Sequence, residues 1–459
     1  MNGKEFNMRN KNGKKITALV LAALIAVTAL ACGCSKDNKK ASQNSSVTDV
    51  QTEDESGGKK TNASDGKSQN TSLNKKVNEK VQNMTLDEKI WQMFFVRPED
   101  IIDIGVAIQA GDATKQALES CPVGGIIYFS QNIKDAEQLK NMISATQSYS
   151  KTPLFIAVDE EGGRVARLGN AGLYEPKIEP MAQIGASGNT DKAAAVGEKL
   201  SENLKKFGFN VDFAPVADVI TVANNEDIGD RSFGKDPKIV ADMVAAEVKA
   251  MQDTGVSATL KHFPSNGSIE ENTHKSAGVC TRTYEQMKEC EFIPFKSGIA
   301  AGADFVMVAH MGVATVENGT PSTLSKTVIQ EWLRGELGFE KIVISDALNM
   351  GAITSKYSAA DAAKRAVKAG VDFVLMSPEP KAAFAAIKDA VTSGEISEER
   401  IDESVRRIIS MKLSRGIKLN LYKNKRKHGC FRTGVIEFEF MYGLYDRQRR
   451  KRDLSALRT

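Results

Sequence analysis

From about residue 85 to about residue 415 the chain alternates short apolar runs with amphipathic stretches. The runs read QMFFV, GGIIYFS, PLFIAVDEE, NVDFAPVADV, SATLKHFP, ADFVMVAHM, KIVISDALNM and DFVLMS. Between them lie helical patterns such as DAEQLKNMISATQSYS, DKAAAVGEKLSENLKKFG, PKIVADMVAAEVKAMQDTG and AADAAKRAVKAG. A strand that is apolar along its whole length needs cover on both faces, which is the situation of a parallel sheet wrapped by helices. About eight such units over roughly 340 residues predict an α/β fold, a single (β/α)8 barrel. An open doubly wound sheet is the alternative, weakened because no Gly-x-Gly-x-x-Gly follows the first strand.

Most of the runs end in polar or charged residues: Asp159 and Glu161, Asp218, Lys261 and His262, His310, and Asp346. In a barrel these ends share one rim, the rim on which active sites are built. In AVDEEGGRVARL, Gly162-Gly163 predicts a tight turn that leaves Asp159, Glu161 and Arg167 close together, although solvated charges at a strand end would give the same pattern. In KIVISDALNM, Asp346 follows the apolar Ile342-Val343-Ile344 with only Ser345 between, a place either for a nucleophile on a rigid element or for the N-cap of a following helix. The chain has only 4 His, and two of them, His262 and His274, flank the loop in TLKHFPSNGSIEENTHKS.

The ends of the chain differ from this pattern. A basic stretch, MNGKEFNMRNKNGKK, precedes the apolar ITALVLAALIAVTALA, which predicts an export signal over 1–31. TALACGC resembles a bacterial lipobox, with Cys32 as the lipidated residue. The chain is then expected to be extracytoplasmic and held to the membrane by a lipid anchor, with a plain cleaved signal or an uncleaved helix as alternatives. Residues 32–76 are almost free of apolar side chains and predict a disordered polar tether. The barrel is expected over 77–417, opening on a helix capped by Thr85 with Glu88 three residues later. The segment 418–459 is basic and irregular, either a peripheral element drawn to anionic polymer or lipid, or an altered reading frame. A net charge of +4 is too mild to argue for nucleic acid. Cys121, Cys280, Cys290 and Cys430 show no metal spacing; they read as buried thiols, with a Cys280–Cys290 pairing left open.

Asp-x-Glu-Gly-Gly-x-Val-x-Arg at 159–167, Lys-His-Phe-Pro at 261–264 and Ser-Asp at 345–346 together resemble glycoside hydrolase family 3, in its β-N-acetylhexosaminidase branch. GGIIYFSQNI, FAPVADV, DRSFGKDP, VMVAHM and PSTLS fit in the same order, so the resemblance covers roughly residues 85–415. It implies a retaining exo-glycosidase that releases N-acetylglucosamine from cell-wall fragments or related glycans, with neither metal nor organic cofactor. Asp346 would be the nucleophile. Asp159, Arg167, Arg231, Lys261 and His262 would bind the terminal sugar, and His274 would be the acid/base. The chain departs from the pattern at Asn272, where the branch places an Asp partner for that His, and at Ser265-Asn266-Gly267, where it places Gly-His-Gly. Asn272 would orient the ring without supplying charge, and Glu270 or Glu271 is a candidate source of that charge. His310 is expected on the pocket wall. The departure leaves two alternatives: a sugar-binding lipoprotein with impaired catalysis, or a phosphorylase.

Overall fold

The computed structural model describes residues 63–102 and 104–417, with side chains described from Thr71 onward. The signal at 1–31, Cys32, most of the 32–76 tether, Cys430 and the 418–459 segment lie outside the described residues.

Eight strands form the centre: β1 (Phe94–Val96), β2 (Gly125–Ile127), β3 (Phe155–Val158), β4 (Val211–Asp212), β5 (Ser257–Phe263), β6 (Phe305–Val308), β7 (Ile342–Ser345) and β8 (Val374–Leu375). Each lies in one of the apolar runs. They pair in the order β7-β6-β5-β4-β3-β2-β1-β8, all in parallel. The ring closes between β7 and β8, where the Ser345 N–H donates to the Phe373 carbonyl at 3.0 Å and the Leu348 N–H to the Leu375 carbonyl at 2.9 Å. The chain is therefore a (β/α)8 barrel.

Every residue of these strands is buried, the consequence of a sheet packed inside and out. Inside the barrel the floor is aromatic. Phe373 meets Phe95 and Phe155 edge-on at centroid distances of 5.3 and 5.9 Å, and Phe155 meets Phe305 at 5.2 Å. Truncating one such ring to Ala is expected to cost about 3–5 kcal/mol, because the closed ring of strands cannot collapse into the void.

At the N-terminal ends of the strands, two buried carboxylates tie the barrel to its outer helices. Asp372 accepts from Arg334, Ser404 and Arg407, and Asp304 from Arg415 at the end of the last described helix as well as from Ser257 and Lys341. This end is structural, and the opposite end is left for chemistry.

The capping box at Thr85 is formed: its Oγ accepts the Glu88 N–H at 3.2 Å and Glu88 accepts the Thr85 N–H at 3.0 Å. A helix over Ala63–Gln82 starts before Val77, from which the barrel was expected. Polar composition hid it, because its apolar residues are few but correctly spaced: Val77 and Val81 are buried and Leu73 packs on the core. Cys121, Cys280 and Cys290 stand as free thiols.

Candidate active site

The C-terminal ends of the strands surround a cavity of ≈ 330 Å³. Asp159, Arg167, Arg231, Lys261, His262, His274 and Asp346, spread over nearly 190 residues of sequence, all line it. Of the expected site residues, Asn272 does not.

One wall is a set of paired charges. Lys261, on β5 and almost fully buried, places Nζ 2.8 Å from Asp159 Oδ1 and 2.5 Å from Glu161 Oε1. Arg231 meets Glu161 with two parallel bonds of 2.8 Å. Arg167 Nη2 lies 3.6 Å from Asp159 Oδ2, its guanidinium 5.6 Å from the centre of the Phe129 ring. Burial disfavours the Glu161 charge, but Arg231 and Lys261 outweigh it and hold the carboxyl far below the usual range. Burial likewise works against Lys261, and Asp159 and Glu161 raise its pKa instead. The Gly162-Gly163 turn makes this possible. Both glycines have positive φ, 90° and 53°, and Ile178 and Pro180 crowd the space where side chains would project.

Asp346 follows β7 directly. Its N–H donates to the Val308 carbonyl of β6 at 2.9 Å, and its Oδ1 accepts the Ala347 N–H at 2.7 Å. Oδ2 takes no hydrogen bond from the described residues. Burial would raise the Asp346 pKa, but His310 and His262, with the Ala347 N–H and His274, lower it overall, so the group is a carboxylate. The capping alternative is not met: the next helix, Gly351–Thr354, starts after Met350.

His262 is oriented from behind. Its Nδ1 lies 2.7 Å from Asp218 Oδ2, which also accepts the His262 N–H, while Asp218 Oδ1 accepts the Asn266 N–H. Asp218 is fully buried and acts through His262, whose Nε2 is left for the cavity. His310 is not on the pocket wall as expected. It is completely buried, donates from Nε2 to the Ala347 carbonyl at 2.8 Å, and burial lowers its pKa. It holds the Ala347-Leu348 peptide, one residue beyond Asp346.

The opposite wall comes from the loop after β5. His274 lines the cavity with an exposed side chain, and its carbonyl accepts the Gly351 N–H at 3.1 Å. Asn272 Oδ1 accepts the His274 main-chain N–H at 2.9 Å, a local turn contact of the kind Asn makes two residues on. Asn272 thus holds the backbone of His274 and not its ring, which corrects the expected role. Glu270 and Glu271 are exposed and line no part of the cavity.

Sequence reasoning missed Asp227 and Thr273, and noted Asn266 only as a departure from the family pattern; all three also line the cavity. They lie in loops without strand or helix periodicity, and the only signal was an acidic residue four before Arg231.

A charged cavity at the C-terminal rim of a closed parallel barrel, built from separate strands, is the site layout of a (β/α)8-barrel enzyme. The glycosyl hydrolase family 3 N-terminal domain matches residues 85–411, and the chain belongs to this family. A beta-hexosaminidase of Stenotrophomonas maltophilia (strain R551-3) is 36% identical over 265 residues, covering 56% of this chain and 77% of the relative. Beta-hexosaminidase A of Pseudoalteromonas piscicida is 30% identical over 321 residues, which are 63% of this chain and 53% of that protein. Among solved structures, the family 3 beta-N-acetylglucosaminidase of Paenibacillus sp. str. FPU-7 superposes with a TM-score of 0.69 at 34% identity. That match covers 78% of this chain and 65% of the Paenibacillus chain, so just under two thirds of that protein is represented here. The beta-N-acetylhexosaminidase of Beutenbergia cavernae DSM 12333 gives 0.63 at 27% identity, covering 73% of this chain and 99% of that one.

Proposed function

We propose that this protein is a retaining exo-β-N-acetylhexosaminidase that releases non-reducing N-acetylglucosamine from cell-wall fragments or related glycans. The observation that carries the reading is the free Oδ2 of an ionised Asp346, held at a strand tip in the same cavity as His274 and the Lys261 network. Asp346 attacks the anomeric carbon, the glycosidic bond breaks, and a glycosyl-enzyme forms on its carboxylate. His274 gives its proton to the departing oxygen and later takes one from the attacking water. Asp159, Arg167, Arg231, Lys261 and His262 offer the donors and acceptors that hydroxyl and acetamido groups need. Relatives named as hexosaminidases and acetylglucosaminidases support the same substrate class.

The cavity is at the small end of ligand pockets, which suits one terminal sugar and hence exo action. The same reading places the enzyme outside the cytoplasmic membrane, with 1–31 as its export signal and a lipid on Cys32. Labelling with a radioactive fatty acid tests this part: label should appear on the wild type and vanish in Cys32→Ala.

The full chain should hydrolyse an aryl β-N-acetylglucosaminide, and Asp346→Asn should abolish turnover. Undiminished turnover in that variant would overturn the assignment. Running the assay with and without phosphate identifies the acceptor, since a sugar phosphate as product would replace hydrolysis by phosphorolysis.

A further inference from the structure

Four carboxylates line the cavity: Asp159, Glu161, Asp227 and Asp346. Asp159 and Glu161 are committed to Lys261, Arg167 and Arg231. Asp346 is the nucleophile in the reading above. Asp227 remains: no ion pair among the described residues involves it, although its charge also acts on the Arg231 guanidinium, which is paired with Glu161. Its Oδ2 lies 3.5 Å from Thr273 Oγ, directly beside His274 in the chain.

The position of Asp227 is built. Its carbonyl accepts from Arg164 Nη2 at 2.6 Å and from Arg231 Nη1 at 3.1 Å. Its loop is stitched to the start of the His274 loop: Asn225 Nδ2 donates to the carbonyls of Asn266 (2.5 Å) and Ile269 (2.8 Å). Thr221 adds its N–H to the Gly267 carbonyl at 3.0 Å and its hydroxyl to Ser268 at 2.9 Å. Both loops therefore form one wall, with Asp227 and His274 on the same cavity.

An imidazole that must give up a proton to a leaving oxygen has first to hold it, and a nearby carboxylate favours that form. Residue 272 is a neutral Asn whose oxygen is used on the His274 main chain. Glu271 turns away, its Oε2 only 2.9 Å from where a Cβ on Gly278 would sit. Lys275 is exposed on the same loop. Across the cavity Asp346 must stay available to the sugar, with His310 and His262 behind and beside it, and Lys261 and Arg231 are self-paired with Asp159 and Glu161.

We propose that Asp227 is the positioning residue for His274: from a neighbouring loop, and through Thr273 between them, it supplies negative charge that favours the imidazolium at the moment the leaving oxygen takes its proton. This rests on the reading of His274 as the acid/base. The test uses full-length protein and two substrates: phenyl β-N-acetylglucosaminide, whose departure needs a proton, and the 2,4-dinitrophenyl analogue, whose departure does not.

Asp227→Asn should lower kcat/KM for the phenyl substrate by about tenfold to a hundredfold, below the full general-acid contribution. It should change the dinitrophenyl value by less than about threefold. The alkaline limb of the phenyl profile, which reports the acid, should move down by about one pH unit. Asp227→Glu should recover most of the loss. An unchanged phenyl profile in Asp227→Asn, or equal losses on both substrates, would overturn the proposal. His274→Ala separates the two layers. If it shows the leaving-group dependence and Asp227→Asn does not, only the Asp227 assignment fails. If His274→Ala shows none, the acid/base reading fails and the proposal falls with it.

Discussion

The two walls of the cavity are made in opposite ways. The strand-tip wall is buried and internally paired: Lys261, Glu161 and Arg231 are nearly inaccessible, and their charges are satisfied by one another before any ligand arrives. The loop wall, from Ser265 to Cys280, is fixed through its main chain at its start and again at Thr273 and His274, while the ring of His274 stands exposed and makes no hydrogen bond to the described residues. A wall of the first kind presents fixed donors and acceptors without reorganisation. A wall of the second kind leaves a proton carrier whose charge depends on what approaches it.

The largest effect should come at the junction of the two. Asp346→Asn keeps the shape and removes the nucleophile, and should lower kcat by about 10⁴-fold or more with folding intact. Circular dichroism alongside the rate separates this from misfolding. A variant that keeps its activity would mean that neither wall is organised around Asp346.

Breaking the strand-tip wall should cost stability as well as activity. Glu161→Gln leaves Lys261 and Arg231 as buried cations with one fewer partner, and should destabilise the fold by about 3–5 kcal/mol in urea titration. Glu270→Gln, on the loop and exposed, should be near neutral in the same measurement, within about 0.5 kcal/mol. Equal effects at both positions would remove the distinction between the walls.

Behind the strand-tip wall lies Glu247, on helix Pro237–Thr254, with both carboxyl oxygens buried and unpartnered. Burial, with a smaller contribution from the Glu161 charge, pushes its pKa up to about 8. The folded protein then binds a proton that the unfolded chain releases near the ordinary value of 4.5, so this group's contribution to stability is full below that pH and falls as pH rises towards 8. Glu247→Gln should flatten this fall and stabilise the protein on the order of a few kcal/mol above pH 8, with little effect at pH 4. Melting temperature against pH for both proteins measures it, and parallel curves would contradict the assignment.

The strand-tip wall was legible in the sequence, and the loop wall only in part. Parallel barrel strands are buried on both faces, so they appear as unbroken apolar runs, and the first charge after each run marks the rim. Asp159, Lys261, His262 and Asp346 followed from that rule. Asp227 and Thr273 did not, because the bonds from Asn225 and Thr221 that bring their loops together join residues 40 to 50 positions apart with no periodic pattern. His310 was expected on the pocket wall, since its position after an apolar run is readable but not the bond to the Ala347 carbonyl that buries it.

The smallest expected effect tests the loop wall most closely. Asn272 uses its Oδ1 on the His274 N–H, and an Asp can make the same bond while adding a charge beside the ring. If Asp227 already supplies a charge, a second one is partly redundant, and Asn272→Asp should raise kcat/KM on phenyl β-N-acetylglucosaminide by no more than about threefold. In the Asp227→Asn background the same change should restore about tenfold, because it then replaces the loop-wall carboxylate that was removed. The double-mutant cycle therefore separates a loop that lacks a charge from one that borrows it. Equal gains in both backgrounds would show that Asp227 and position 272 act on His274 independently.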